Sequence, residues 1–581
     1  MSLTKSKKTK LVIGILIFAI INLLIIGITL IVRTIHFQQS YQDASVFLLK
    51  TVYLDNFLRQ NPLLLATLTL VGYLALSRGL RDAILGAIKT AIGVFLLTIG
   101  AGSLIELAKP VFQAISGIKS GGIVPLDPYF GWTSASNFLQ KSFGAGNNFL
   151  TLASFVFLVG FVINLIMVAA KKYTNVNSIM ITAHVMLQQA SVLTALFYVI
   201  LFWQTPLVNG EIALSAQIGL VAISGLFLGL YWSVGSTATL KITNEISQNG
   251  NFSVGHQQML SLLLAYKLGR FFGQKNNKVE NRKLPAYLKI FEDNIFTQSL
   301  IIFILFTILF IIIITYYGPS QSLDANFAGF NANSEVAHIK AIAQAWNKTF
   351  LGANFVFVIL GGALKIVAAL LAIITGVRMF VTELQQSFHG ISEKIIPGAV
   401  VAVDIAAVYG FSINAVTYGF VSGALGQFLA VLLSIGLAAI PGNNYSLVAV
   451  PLFITLFFNS GAQGLYANAT GGQKAAIFVP MLIGFFEIIV ISFALKLVEN
   501  IHGVGIPLHQ SPVATGFLGM GDWNLFFGLV LIISQFHPSA AWVAITFAIL
   551  ALIILAQIID STTQNKPTWL QKVLKIKVKI I

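Results

Sequence analysis

Long apolar stretches separated by short polar ones dominate this chain. Leu11–Val32, Phe149–Ala170, Leu300–Tyr317, Phe355–Val377 and Phe526–Ile559 each have the length, about 18 apolar residues or more, that predicts a membrane-spanning helix. Helices satisfy their own backbone groups in lipid, so the pattern predicts an all-α polytopic membrane protein. One stretch reads differently: EVAHIKAIAQAWNKTF (Glu335–Phe350) has helical periodicity with a polar face, which predicts a helix lying along the membrane surface.

Composition agrees with the pattern. Of 581 residues, 57% are hydrophobic and 9% charged, against about 25% charged in a soluble protein. The net charge of +16 would suggest nucleic acid in a soluble chain. Here the basic residues sit in connections and termini, as the positive-inside rule requires, so no nucleic-acid partner is expected. The absence of cysteine excludes disulfides, thiolate metal sites and a cysteine phosphoacceptor within this chain. Forty-nine glycines fit close helix packing and broken or re-entrant helices.

Charge also orients the chain. The start, MSLTKSKKTK, precedes an apolar run without a convincing cleavage site, which predicts a retained helix with its N-terminus inside. The end, WLQKVLKIKVKII, is basic too, so both termini are expected in the cytoplasm and the number of crossings is expected to be even. The connection Tyr266–Asn294 carries seven Lys or Arg and is the expected cytoplasmic docking loop. The less basic connections Lys109–Asn148 and Gly318–Leu351 are expected outside.

Polar groups inside the apolar pattern carry the functional signal, because each must be satisfied by protein, water or ligand. In ITAHVMLQQAS (Ile181–Ser191), His184, Gln188 and Ser191 fall on one helical stripe, with Thr182 and Gln189 beside it. Gln and His also bond neighbouring membrane helices together, yet five polar groups in eleven residues favour a polar-solute site. A second cluster, FSVGHQQMLS, holds His256, Gln257 and Gln258, which could equally form an interfacial turn. In IIPGAVVAVDIAAVYG, Asp404 is the lone charge in a long apolar run, and Pro397–Gly398 predicts a helix start or break before it. Arg378 and Glu383 could pair with each other as a structural element. Aligning Asn177–Ala190 with Glu393–Ala406 superposes Gln188 on Asp404, a weak sign of an internal repeat.

No phosphate-binding glycine loop, zinc-protease motif or nucleophile elbow occurs in a fitting context. No metal site, cofactor or covalent catalytic residue is expected, and ANATGG (Ala467–Gly472) lies among membrane segments and is not expected to be glycosylated.

In order along the chain, NPLLLATLTLVGY, GAIKTAIGVFLLTIGAGS, TAHVMLQQA, FSVGHQQ, KLPAYLKIFEDN, GVRMFVTEL, GISEKIIPGAVVAVDIAAVYGFSINAV and MGDW resemble the ascorbate-specific permease family of the bacterial phosphotransferase system, its membrane (IIC) subunit. The resemblance runs from about Val46 to Leu525. It implies a homodimeric permease of eleven membrane segments, with a core domain moving against a scaffold in an elevator-like motion. It implies uptake of L-ascorbate or a related sugar acid, phosphorylated during entry by a cytoplasmic IIB protein that IIA charges. In the family the IIB phosphoacceptor is a cysteine, so its absence here fits a separate IIB chain. Carried over by position, the implied substrate site comprises His184, Gln188, His256, Gln257 and Asp404, with Gln189 alongside and a small-residue stretch at Gly100. The family's Gly-Ser-Gly stands here as Gly100-Ala101-Gly102, with Ser103 displaced. The implied organisation is a basic N-terminus with an added anchor helix (1–44), the permease body with interleaved core and dimerisation parts (45–560) and a basic tail (561–581). The added helix brings the expected count to about twelve crossings, an even number. Two other readings remain open at this level: a proton-coupled transporter of another small sugar acid or polyol, and a membrane scaffold or receptor that moves no solute.

Overall fold

A computed structural model describes residues 5–48, 51–53, 56, 61–76, 78–118, 123–126, 135, 139–140, 143–144, 149–208, 210–248, 252–281, 290, 293–396, 399–438, 440, 442, 446–451, 454–500, 522, 530, 532–559 and 567–576. The helices that matter here are α1 (Lys5–Ile31), α2 (Asn61–Ala75), α3 (Leu80–Ile118), α4 (Phe149–Ala169), α5 (Ala183–Phe197), α6 (Leu214–Ile246), α7 (Met259–Phe272) and α8 (Asn294–Tyr317). They continue with α9 (Ala337–Trp346), α10 (Phe355–Ile395), α11 (Ile413–Ala438), α12 (Ser460–Glu499) and α13 (Pro538–Ile558). Nine spans among the described residues are long and apolar enough to cross a membrane, so the chain is a polytopic helical membrane protein.

Local chemistry explains where these helices begin and break. Asp293 caps α8, accepting the Phe296 N–H at 2.7 Å, and the run that follows exposes Ile304, Ile308 and Ile311 as lipid-suited surface. α12 is interrupted at Gly472, whose φ of 65° suits glycine. A side chain there would meet the Asn277 carbonyl at 2.2 Å, and that carbonyl accepts the Gln473 N–H at 2.8 Å. The broken helix is therefore satisfied by the loop after α7 rather than by its own turn.

Packing sorts the helices into two neighbourhoods. α3 packs on α2 and α10, with α8 and α9 alongside. The predicted helix at 335–350 is present as α9. It buries Ile339, Ile342, Ala343 and Trp346 against protein, and the Trp346 Nε1–H donates to the Leu107 carbonyl at 2.9 Å. The other neighbourhood pairs α11 with α12, α12 with α7, and α4 with α6, while α5 and α13 lean on α6.

Short strands, which the apolar pattern did not predict, sit among these helices. β1 (Ile123–Leu126) pairs in parallel with β5 (Val448–Pro451). β4 (Val400–Asp404) lies between β2 (Ser178–Met180) and β3 (Ser253–Gly255), parallel to both. Of the helix start or break expected before Asp404, the structure shows a break: α10 ends at Ile395 and the segment running into Asp404 is extended strand, with Pro397–Gly398 outside the described residues.

Candidate functional site

The three-stranded sheet fixes the site. Parallel strands all finish at the same edge, so the turns leaving β2, β3 and β4 gather there. β2 passes through Ile181 and Thr182 into α5, β3 passes through His256, Gln257 and Gln258 into α7, and β4 ends on Asp404 just before a short helical turn, Ala406–Tyr409. The register sets Gly255 opposite Asp404 and Met180 opposite Ala402. Three polar segments far apart in sequence therefore meet at one edge. Helix N-termini follow two of them, and such ends favour negative charge.

Strand backbone buried among apolar helices must find partners other than bulk water. Neighbouring helices provide them. Asn164 of α4 accepts the Met180 N–H at 2.9 Å and donates to the Ser178 carbonyl at 3.3 Å. Thr237 of α6 accepts the Ser178 N–H at 3.3 Å, and Thr239 accepts the Val254 N–H at 2.9 Å. The Ser178 and Ser253 hydroxyls bond each other. Gly255 is required by close approach: a Cβ there would lie 2.0 Å from Thr182 Oγ1.

At the strand ends the polar side chains hold one another. Gln188, Gln189, His256 and Gln257 are buried, and Asp404 is half-buried. The Gln257 amide N–H donates to Gln188 Oε1. Gln189 donates to the Gln257 carbonyl at 3.4 Å and accepts the Trp232 indole N–H at 2.6 Å. A neutral amide pair of this kind contributes about 1 kcal/mol net, so a hydroxyl-bearing ligand can replace it without large loss.

The sequence-predicted residues divide as follows. Gln188, Gln189, His256, Gln257 and Asp404 are brought to the same edge. His184 lies in the first turn of α5, its side chain outside the described residues. Gly100 is buried in α3, whose main partners are α2, α8, α9 and α10. Thr182 is not on the helical stripe but is the residue preceding α5, without a side-chain cap. His256–Gln258 form a turn whose side chains are buried within the protein. The repeat alignment also needs correction: Gln188 sits on a helix and Asp404 ends a strand, so the two are not equivalent positions. Glu383 is bonded to Lys89 at 3.1 Å and to the Tyr73 hydroxyl at 2.6 Å; the expected pairing with Arg378 falls on a side chain outside the described residues. Among the described residues no group of three or more His, Asp or Glu is placed to hold a metal ion. Sequence reading missed Asn164, Thr237, Thr239, Tyr231 and Trp232, which look like ordinary helix residues until the strands they serve are known.

Two comparisons decide the family. Residues 56–528 match the family profile EIIC-GAT, described as the PTS system sugar-specific permease component. The chain is also 49% identical, over 98% of its length and 98% of the relative's, to the Mycoplasma pneumoniae protein named "Ascorbate-specific PTS system EIIC component". The chain belongs to the PTS sugar-specific permease family. As a PTS permease it is the membrane-translocating IIC component of a phosphoenolpyruvate-dependent phosphotransferase system, working with cytoplasmic phosphotransferase proteins on a sugar-class substrate. α1 and α13 flank the permease profile, and the relative's match extends over 98% of the chain.

Proposed function

We propose that this permease takes up L-ascorbate and delivers it phosphorylated, the phosphoryl group coming from a separate IIB protein that IIA charges. The observation that carries this reading is 49% identity, over 98% of the chain, to a relative whose name specifies ascorbate. The strand-end chemistry supports it. Ascorbate is a small anion rich in hydroxyls, and carboxamides and neutral imidazoles both donate and accept hydrogen bonds. In this reading His184, Gln188, Gln189, His256 and Gln257 bind the hydroxyls and ring oxygens, and Gly100 lets the ligand pass close to α3. Asp404 accepts a substrate hydroxyl and takes its proton as the oxygen attacks phosphorus; the bond from phosphorus to the IIB cysteine sulfur breaks, leaving its electrons on sulfur.

The helices around the sheet form the moving core, and α2, α3, α8, α9 and α10 form the scaffold against which it slides and through which two copies pair. Both basic ends lie in the cytoplasm, and α1 is an anchor added to the permease body, giving about twelve crossings including re-entrant segments. The test is uptake of labelled ascorbate by membrane vesicles supplied with IIA, IIB and phosphoenolpyruvate. The label is expected to accumulate as a phosphate ester, with other sugar acids and polyols competing poorly. Unmodified ascorbate accumulating on a proton gradient without IIB would sink the reading.

A further inference from the structure

The turn that carries His256 and Gln257 is held by a carboxylate far away in sequence. α7 begins right after this turn, and the residue before it, Gln258, makes no side-chain cap. The Gln258 amide instead donates to Glu487 on α12. The first-turn amides of α7 go to Asp522: the Leu260 N–H reaches Oδ2 at 2.7 Å and the Ser261 N–H reaches Oδ1 at 2.9 Å. The Tyr231 hydroxyl, on α6, stands 3.0 Å from Asp522 Oδ2 and 3.3 Å from the Gln257 carbonyl. Both residues are buried, Asp522 to 3% exposure and Tyr231 to 1%.

A carboxylate at a helix start satisfies amides that would otherwise lack partners and complements the helix dipole. Here it does more, because the single Tyr231 O–H is shared, in a three-centre arrangement, between this carboxylate and the carbonyl of a substrate-site residue. The Gln257 backbone is thereby held from two sides, by Tyr231 and by Gln189, and its side chain is left to meet Gln188. Asp522 also fills the positive end of α7, so an anionic ligand meets this segment through the Gln257 amide and not through the α7 backbone.

We propose that Asp522 and Tyr231 are positioning residues for substrate recognition, acting through the His256–Gln257 turn. The proposal rests on Gln257 belonging to the ascorbate site. It is tested by equilibrium binding of labelled L-ascorbate to the purified full-length chain, alongside thermal melts. Tyr231→Phe keeps the carboxylate and both its backbone bonds, so this variant remains informative even if Asp522→Asn folds poorly. Losing one buried hydrogen bond to a charged group predicts about tenfold weaker binding in Tyr231→Phe. A larger loss is expected in Asp522→Asn, partly restored in Asp522→Glu, with the Tyr231→Phe melt within a few degrees of wild type. In a Gln257→Ala background, Tyr231→Phe should add less than about twofold, since coupled residues are not additive. Wild-type affinity in Tyr231→Phe, or an undiminished cost in the Gln257→Ala background, overturns the positioning role while leaving the site intact. Wild-type affinity in Gln257→Ala itself overturns the site, and this inference with it.

Discussion

Two buried polar clusters in this chain use similar ingredients to opposite ends. Between α2, α3 and α10, Glu383 is bonded by the Tyr73 hydroxyl at 2.6 Å and by Lys89 at 3.1 Å, while Arg78 reaches Gln386 at 2.7 Å. A charged group there is met by a cation and a hydroxyl, and the three helices are tied together. At the ends of β2, β3 and β4, carboxamides meet one another, and the half-buried Asp404 ends the central strand of the same sheet, so the group is joined through short strands rather than along helices. Polar density in an apolar sequence therefore does not by itself mark a ligand site. What separates the two is backbone geometry: strand ends converge on a point, whereas helix faces pair side by side.

Substitutions can break this contrast, and the largest effects belong to the strand ends. Gln257→Ala and Asp404→Asn are each expected to weaken ascorbate binding about a hundredfold, the equivalent of two lost hydrogen bonds at the reacting end of the ligand, with little change in melting temperature. Equilibrium binding and thermal scanning of the same preparations check both halves. Gln188→Ala is expected to cost about tenfold, because Gln257 keeps its other contacts. Gly255→Ala forces a Cβ to 2.0 Å from Thr182 Oγ1. It should lower stability by about 1–3 kcal/mol as an overpacked site, and should weaken binding together with folding. Glu383→Gln removes a carboxylate whose partner Lys89 is 58% exposed. A loss of about 1–2 kcal/mol in stability with unchanged affinity is expected once solvent screening of Lys89 is allowed for.

The smallest effect lies in the loop that fills the break in α12. Burial pushes the Glu280 carboxyl up, but hydrogen bonds from Ser412 and Asn468 and the nearby Lys278 outweigh it and hold the group below its ordinary value of 4.5. A depressed acid contributes stability above its unfolded value and loses it as pH falls through the folded one. Acidification below about 4.5 should therefore loosen the contact of Glu280 with Asn468, and Glu280→Gln should remove that pH dependence. Amide exchange at Val279, whose N–H bonds Asn468 Oδ1 at 3.1 Å, is the measurement.

The helices were legible because apolar length alone specifies a membrane helix, as Phe149–Ala169 and Asn294–Tyr317 illustrate. The strands were not. Ser178–Met180 and Ser253–Gly255 are too short for alternation to register, and buried strands carry no polar face to reveal it. Their partners lie in the distant stretch Val400–Asp404, so nothing local signalled pairing. Polar residues were legible as a set, His184, Gln188, His256, Gln257 and Asp404, because lipid makes each one conspicuous. Their supports were hidden: Thr237 and Thr239 sit in a run that reads as ordinary small-residue packing, and Asp522 reaches α7 only through the tertiary fold. Lys89 and Tyr73 were hidden as partners of Glu383 for the same reason, since they lie 294 and 310 residues away in sequence and reach it only through packing.

The proposed substrate site is the strand-end cluster and not the Glu383 cluster. The most direct measurement is equilibrium binding of labelled L-ascorbate to three purified proteins side by side: wild type, Gln257→Ala and Glu383→Gln. Gln257→Ala is expected to lose affinity about a hundredfold while its melting temperature holds, and Glu383→Gln to melt earlier yet bind as wild type does. Wild-type affinity in Gln257→Ala, or an equal loss in both variants, would contradict this placement of the site.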